Sequence, residues 1–183
     1  MSHPNEDFTL TKEEVAALRL GYQYFPRCRS EMVDKEVYGQ VRRVCPDCRF
    51  VQFIDPKVGT AVLVEQGGKV LLVKRSMDPA QGSWCLPGGF MEMWETPQES
   101  AQRECREETG LEVEITHLLD VYYYENYRGS GVLIMYKAKI TGGIMQAGDD
   151  AKAVGLFGPE EIPENIVFES NIHVLDAWSQ GRI

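Results

Sequence analysis

A mixed α/β layer fold, a sheet covered by helices, is what the sequence predicts for most of this chain. Three observations carry that expectation. Apolar runs of strand length recur between residues 58 and 157. Among them lies one helix, after Thr96, with complete start and stop signals. A second helical stretch, residues 168–179, follows the breaker Pro163. No internal repeat and no low-complexity tract interrupts the pattern, and 183 residues suffice for one compact domain with a small appendage.

The elements follow in order. Residues 1–8 read as a loose tail. Thr11-Lys12-Glu13-Glu14 fits a capping box, with Leu10 and Val15 as the hydrophobic staple, and predicts a short helix to about Leu20. Residues 22–54 mix aromatics, charges and cysteines, and Asp55-Pro56 marks a boundary. The expected division is therefore an N-terminal module, 1–54, and a main domain, 55–183. Thr60–Glu65 and Val70–Lys74 read as strands joined by a turn at Gln66-Gly67-Gly68. Residues 76–84 form a loop, and Leu86-Pro87-Gly88-Gly89 ends in a Gly-rich bend. The central helix has Thr96 as N-cap, Pro97 at N1, Glu99 at N3 and Gly110 beyond its last turn. Strands are expected at Val113–Tyr124, Val132–Ile140 and Val154–Phe157.

Composition excludes several functions. The net charge is −9 and no basic stripe appears, so nucleic acid is not the expected partner. No apolar run approaches eighteen residues, and Met1–Asp7 has neither a basic nor an apolar signal region, so a cytoplasmic protein without a membrane partner is expected. Five cysteines in that setting do not imply a disulfide framework.

The central helix is chemically unusual. Arg103-Glu104-Cys105-Arg106-Glu107-Glu108 sets three carboxylates within roughly 100° of arc. Like charges at that spacing oppose the helix by a few tenths of a kcal/mol, about the size of the i,i+4 effect. One explanation is a solvated face with Arg–Glu pairs. The other is a site for hard divalent cations, which take oxygen ligands.

The context around the helix favours the second. Gly89, Glu95, Arg103, Glu104, Glu107, Glu108 and Gly110 match all seven invariant positions of the pattern G-x5-E-x7-R-E-U-x-E-E-x-G-U, a coincidence on the order of 10⁻⁶ by average residue usage. The segment Gly89–Leu111 thus resembles the Nudix box. Leu111 fits its apolar position; Cys105 is small for its own, and Trp94 stands where the family commonly has Gly. The resemblance implies a Nudix-type α/β/α sandwich with a mixed sheet. It also implies Mg²⁺- or Mn²⁺-dependent hydrolysis of the pyrophosphate bond of a nucleoside-diphosphate derivative, giving two phosphomonoesters. Glu104 and Glu108 become the main metal ligands, Glu107 a further ligand or water partner, and the Gly88 carbonyl joins them. Arg103 pairs with Glu95 and orients the helix. For the general base the candidates are Asp149 and Asp150, with Asp150 carried forward; the same residues also read as a solvated turn, and Glu92 or a box glutamate is the other source. A small nucleotide is the expected partner and a homodimer the expected assembly. The alternative class is a Nudix-like module that senses a nucleotide without cutting it; the intact glutamates disfavour it.

Two further features bear on function. Tyr122, Tyr123, Tyr124 and Tyr127 either stack on a nucleobase or serve as strand formers with one face in the core. Cys45-Pro46-Asp47-Cys48, with Cys28 upstream, resembles the zinc ribbon on one branch of the family, whose members act on cofactors such as ADP-ribose, FAD or NADH. Phe25 stands at the first ligand position, so Cys28, Cys45 and Cys48 form either a three-thiolate zinc site or a metal-free hairpin.

Overall fold

The computed structural model describes residues 21–126 and 129–183. The helix expected before Gly21 lies outside them. The chain divides into two compact units, the described residues up to Pro56 with the segment Glu125–Ser130, and Lys57–Tyr124 with Gly131–Ile183.

The smaller unit is a hairpin with two knuckle-like turns. Strands β1 (Val33–Val37) and β2 (Gln40–Val44) pair antiparallel. Their two-residue turn, Tyr38-Gly39, has positive φ at both positions, as a tight hairpin requires. Phe25, Met32 and Cys45 form its small core.

The larger unit is a mixed sheet between helices. Its strands are β3 (Lys57–Gln66), β4 (Lys69–Arg75), β5 (Trp84–Cys85), β6 (Gly88–Phe90), β7 (Leu111–Asn126), β8 (Gly129–Gly143) and β9 (Ala151–Phe157). The main order is β5-β4-β3-β8-β7, with β6 on β3 and β9 on β4. β3 and β8 run parallel, and β4 and β9 antiparallel. Helix α1 is Pro97–Thr109 and α2 is Glu169–Ser179; a 3₁₀ turn, Pro159–Glu161, adds to the expected elements.

Period-two alternation distributes the core. From β3 and β4, Val62, Val64 and Leu71 join Cys105 of α1, while Ala61, Leu63, Val70 and Leu72 join Val174, Leu175 and Trp178 of α2. Every other residue of one strand thus faces a different helix. That is why these strands read as continuous apolar runs, and it makes the unit the expected α/β/α sandwich. The Gly-rich segment departs from the expected bend: Gly88–Phe90 is a short strand antiparallel to Gly59–Ala61.

Among the described residues no helix is long and apolar enough to cross a membrane.

Candidate active site

The site is built on α1, whose phase is fixed from both ends. Thr96 accepts from Glu99 N at 3.3 Å, and the Glu99 carboxylate accepts from Thr96 N at 2.8 Å, completing the capping box. At the other end Gly110, at φ 70°, donates to Arg106 O. A Cβ at Gly110 would lie 2.4 Å from Ile144 O, so only glycine closes this helix. Between the caps, Ala101 and Cys105 are fully buried, and the Ser100 hydroxyl meets Thr60 of β3 at 3.0 Å. Cys105 fills its apolar slot as a small hydrophobe.

That packing carries Glu108 inward. Although a glutamate, it is only 4% exposed. Its carboxylate accepts from Gly88 N at 2.9 Å. Close approach of main chain is possible because β6 lacks side chains there. A Cβ at Gly88 would stand 2.2 Å from Thr60 O, and one at Gly89 would stand 2.5 Å from the Glu104 carboxyl carbon. The two glycines therefore give the carboxylates of α1 access to the strand.

Arg103 organises the rim. Its guanidinium donates to both oxygens of Glu95, at 2.6 and 2.9 Å, to Glu104 at 2.8 Å, to Glu107 at 3.0 Å and to Phe90 O at 3.1 Å. The two-pronged Glu95 contact uses the planar fork that lysine lacks. Glu95 also accepts from Glu92 N at 2.7 Å, which ties down the loop before the helix. Arg103 holds the Glu95 carboxyl down to about 2, against a burial effect in the other direction.

Glu108 shows the opposite electrostatics. Burial pushes its carboxyl up to about 9; the Gly88 N–H opposes this, and the nearby carboxylates of Asp150 and Glu104 add to it. Glu104 is also raised, by burial first, with Arg103 opposing. Among the described residues no Lys or Arg pairs with Glu108. A buried carboxylate facing two others, with a single N–H as compensation, is an arrangement that an added cation would stabilise. The donor set is all oxygen, which suits Mg²⁺ or Mn²⁺. Among the described residues no three of these carboxylates close to within 4.8 Å of one another. Arg103 holds Glu104 and Glu107 toward itself, so the cluster is wider than a nest for one ion.

The structure sorts the remaining candidates. Asp150 comes within hydrogen-bonding reach of Glu108, whereas Asp149 is an exposed turn residue at φ 48°. Asp150 is placed by its main chain, since Ser76 N donates to Asp150 O at 2.8 Å. Glu107, with 41% of its side chain exposed, pairs with Arg103, and Glu92 is exposed. Trp94 is 88% exposed beside Met93, so its bulk is accommodated outside the fold. Tyr122 packs against the α2 core, the Tyr124 hydroxyl is buried without a hydrogen-bond partner, and Tyr123 is exposed. This is the alternation of a strand with one face in the core; Tyr127 lies outside the described residues. Cys85 is an addition to the expected site: it sits beside Glu108, Arg75 and Asp150, and burial raises its thiol to about 12. No sequence signal marks it, because β5 reaches the site only through pairing with β4.

In the smaller unit Cys28, Cys45 and Cys48 come together, all three Sγ atoms lying within 4.8 Å of one another.

Known proteins show the same pattern. The NUDIX domain family model matches residues 55–177. An ADP-ribose pyrophosphatase of Methanocaldococcus jannaschii is 35% identical over 133 residues, 70% of this chain and 78% of that one. The 8-oxo-dGDP phosphatase NUDT18 of Homo sapiens is 33% identical over 126 residues, 67% of this chain and 38% of that longer protein. A crystal structure of a NUDIX hydrolase from Nitrosomonas europaea superposes with a TM-score of 0.81 at 33% identity, covering 88% of this chain and 92% of its own.

Proposed function

The chain belongs to the NUDIX family and is a Nudix pyrophosphohydrolase, and from that premise we propose that its substrate is a dinucleotide-like diphosphate with an adenosine half, of the ADP-ribose, FAD or NADH type. The observation that carries the site assignment is the buried Glu108 carboxylate, faced by Glu104 and Asp150 and, among the described residues, unpaired with any Lys or Arg. The relative at 35% identity, an ADP-ribose pyrophosphatase, supports the substrate class.

In this reading Glu104, Glu107, Glu108 and the Gly88 carbonyl hold Mg²⁺ or Mn²⁺. When bound, the cations neutralise the diphosphate and acidify the attacking water. The protein's own groups do the rest. Gly88 N–H holds Glu108 in place, and the absence of side chains at Gly88 and Gly89 leaves room for β6 to lie against β3 and for the Glu104 carboxylate to approach it. Arg103 and Glu95 fix the loop and the helix rotation. Asp150 accepts the proton from water as its oxygen attacks phosphorus and the bridging P–O bond breaks. Each half then leaves as a phosphomonoester. Residues 55–183 carry this chemistry, and residues 1–54 form a separate module.

The test is a screen of ADP-ribose, FAD, NADH and nucleoside triphosphates with Mg²⁺ and with Mn²⁺, read as kcat/KM with product identification. The expected result is cleavage between the two phosphates of an adenosine-bearing dinucleotide. Tenfold preference for a triphosphate, about 1.4 kcal/mol of transition-state binding, overturns the substrate class while leaving the hydrolase intact.

A further inference from the structure

The nucleotide chemistry makes no use of the three thiols of the smaller unit. Two turns build this cluster, and they repeat one another. Arg29 N donates to Phe25 O at 2.8 Å, and Arg49 N donates to Cys45 O at 3.0 Å. Arg29 and Arg49 both take left-handed conformations, at φ 61° and 62°. Phe25-x-x-Cys28 and Cys45-x-x-Cys48 are therefore the same turn, with Phe25 in the place of Cys45. The geometry aims Cys28 at both thiols of the other turn, 3.3 Å from Cys45 Sγ and 3.9 Å from Cys48 Sγ. Three sulfurs bound at about 2.3 Å to one ion lie about 4 Å apart, so little movement is needed to surround a cation. Among the described residues no His, Asp or Glu joins the group. The fourth corner is closed by Phe25, which is buried and stacks on Phe50 at 4.3 Å between ring centroids.

We propose that Cys28, Cys45 and Cys48 form a three-coordinate thiolate site for a soft monovalent d¹⁰ cation, Cu(I), in place of a four-coordinate zinc site. Soft thiolate sulfurs suit both zinc and Cu(I), but structural zinc takes four protein ligands, whereas Cu(I) needs no fourth. The charge fits as well. Three thiolates and one monovalent cation leave two negative charges, and Arg27 and Arg49 line the cleft that Cys28 and Cys48 open into.

The full reduced chain is to be loaded anaerobically with Cu(I), competed against a chromophoric Cu(I) chelator, and compared with Zn²⁺ competed against a zinc indicator. One Cu(I) per chain is expected, with three sulfur neighbours by X-ray absorption. Cys28→Ser, at an exposed position, and Cys45→Ser are expected to weaken it at least a hundredfold, while Cys105→Ser, far along the chain, leaves it unchanged. Wild-type zinc affinity is expected to be at least a hundredfold below that of Phe25→Cys, which restores the fourth thiol. Loss of Cu(I) to the chelator at one equivalent, retention in both thiol variants, a fourth light ligand on copper, or wild-type zinc binding equal to that of Phe25→Cys would each overturn the proposal.

Discussion

Removing the charge of Glu108 should make the cation-free protein more stable while destroying its activity. Glu108→Gln keeps the side-chain shape and an oxygen to accept from Gly88 N. It removes the carboxylate that Asp150 and Glu104 face. The folded carboxyl sits at about 9 against an ordinary 4.5. A raised acid destabilises the fold above its unfolded value, because the unfolded chain ionises it freely. The penalty is absent below about pH 4.5, grows as pH rises, and levels off near 9. At pH 7.5 three units separate the unfolded value from the solution. At 1.36 kcal/mol per unit the ceiling is about 4 kcal/mol, and relaxation around the site brings the expectation to about 2–4 kcal/mol. For a chain of this size that is a rise in Tm of roughly 5–12 °C. Thermal unfolding in EDTA should show the variant above wild type at pH 7.5 and nearly level with it at pH 5. Added Mg²⁺ should then raise wild type far more than the variant, and kcat should fall at least about a hundredfold. A variant less stable than wild type in EDTA at pH 7.5, or an advantage that grows on acidification, would refute the electrostatic reading of the site.

Glu104→Gln should also lose at least about a hundredfold in kcat with its fold intact by circular dichroism, since it too removes a proposed ligand to the cation; near-wild-type turnover would remove Glu104 from the machinery. Arg103→Lys keeps the charge but loses the fork to Glu95, so stability at pH 7 should fall by about 1–3 kcal/mol in chemical denaturation. Because Glu95 is held down to about 2, its contribution is present above about pH 4.5 and fades as pH falls toward 2, so the curves of wild type and the Arg103→Lys variant should converge in acid. Asp150→Asn should lower kcat at least about tenfold if Asp150 is the base; wild-type kcat assigns the proton to another group.

The helix that carries the site was legible because its signals are local. Thr96, Pro97, Glu99 and Gly110 lie within one segment, and each acts on a backbone group a few residues away. The Arg103–Glu95 pairing was expected only through the resemblance to the Nudix box, which implies a partner role for both residues. The tyrosine strand was half legible, since alternation told that one face is inward but not which ring would reach the core. Legibility failed where contacts bridge distant segments. Nothing local distinguishes Asp150 from Asp149, and only the pairing of β9 with β4 brings Asp150 toward Glu108. Gly88-Gly89 read as a bend because glycine is common in turns. It forms a strand because β3 offers it an edge, and the absent side chains matter for the approach of Glu104 and Glu108.

By itself, then, the sequence determined the family, the helix, the carboxylates it bears and the alternation that makes a two-faced sheet. These depend on spacing along the chain, which 3.6-residue and two-residue periods convert directly into faces. Tertiary structure alone decided which carboxylate is buried, which aspartate meets it, and that the three thiols of the smaller unit converge. Those outcomes depend on which surfaces pack together, and burial is what turns an ordinary glutamate into one held near pKa 9.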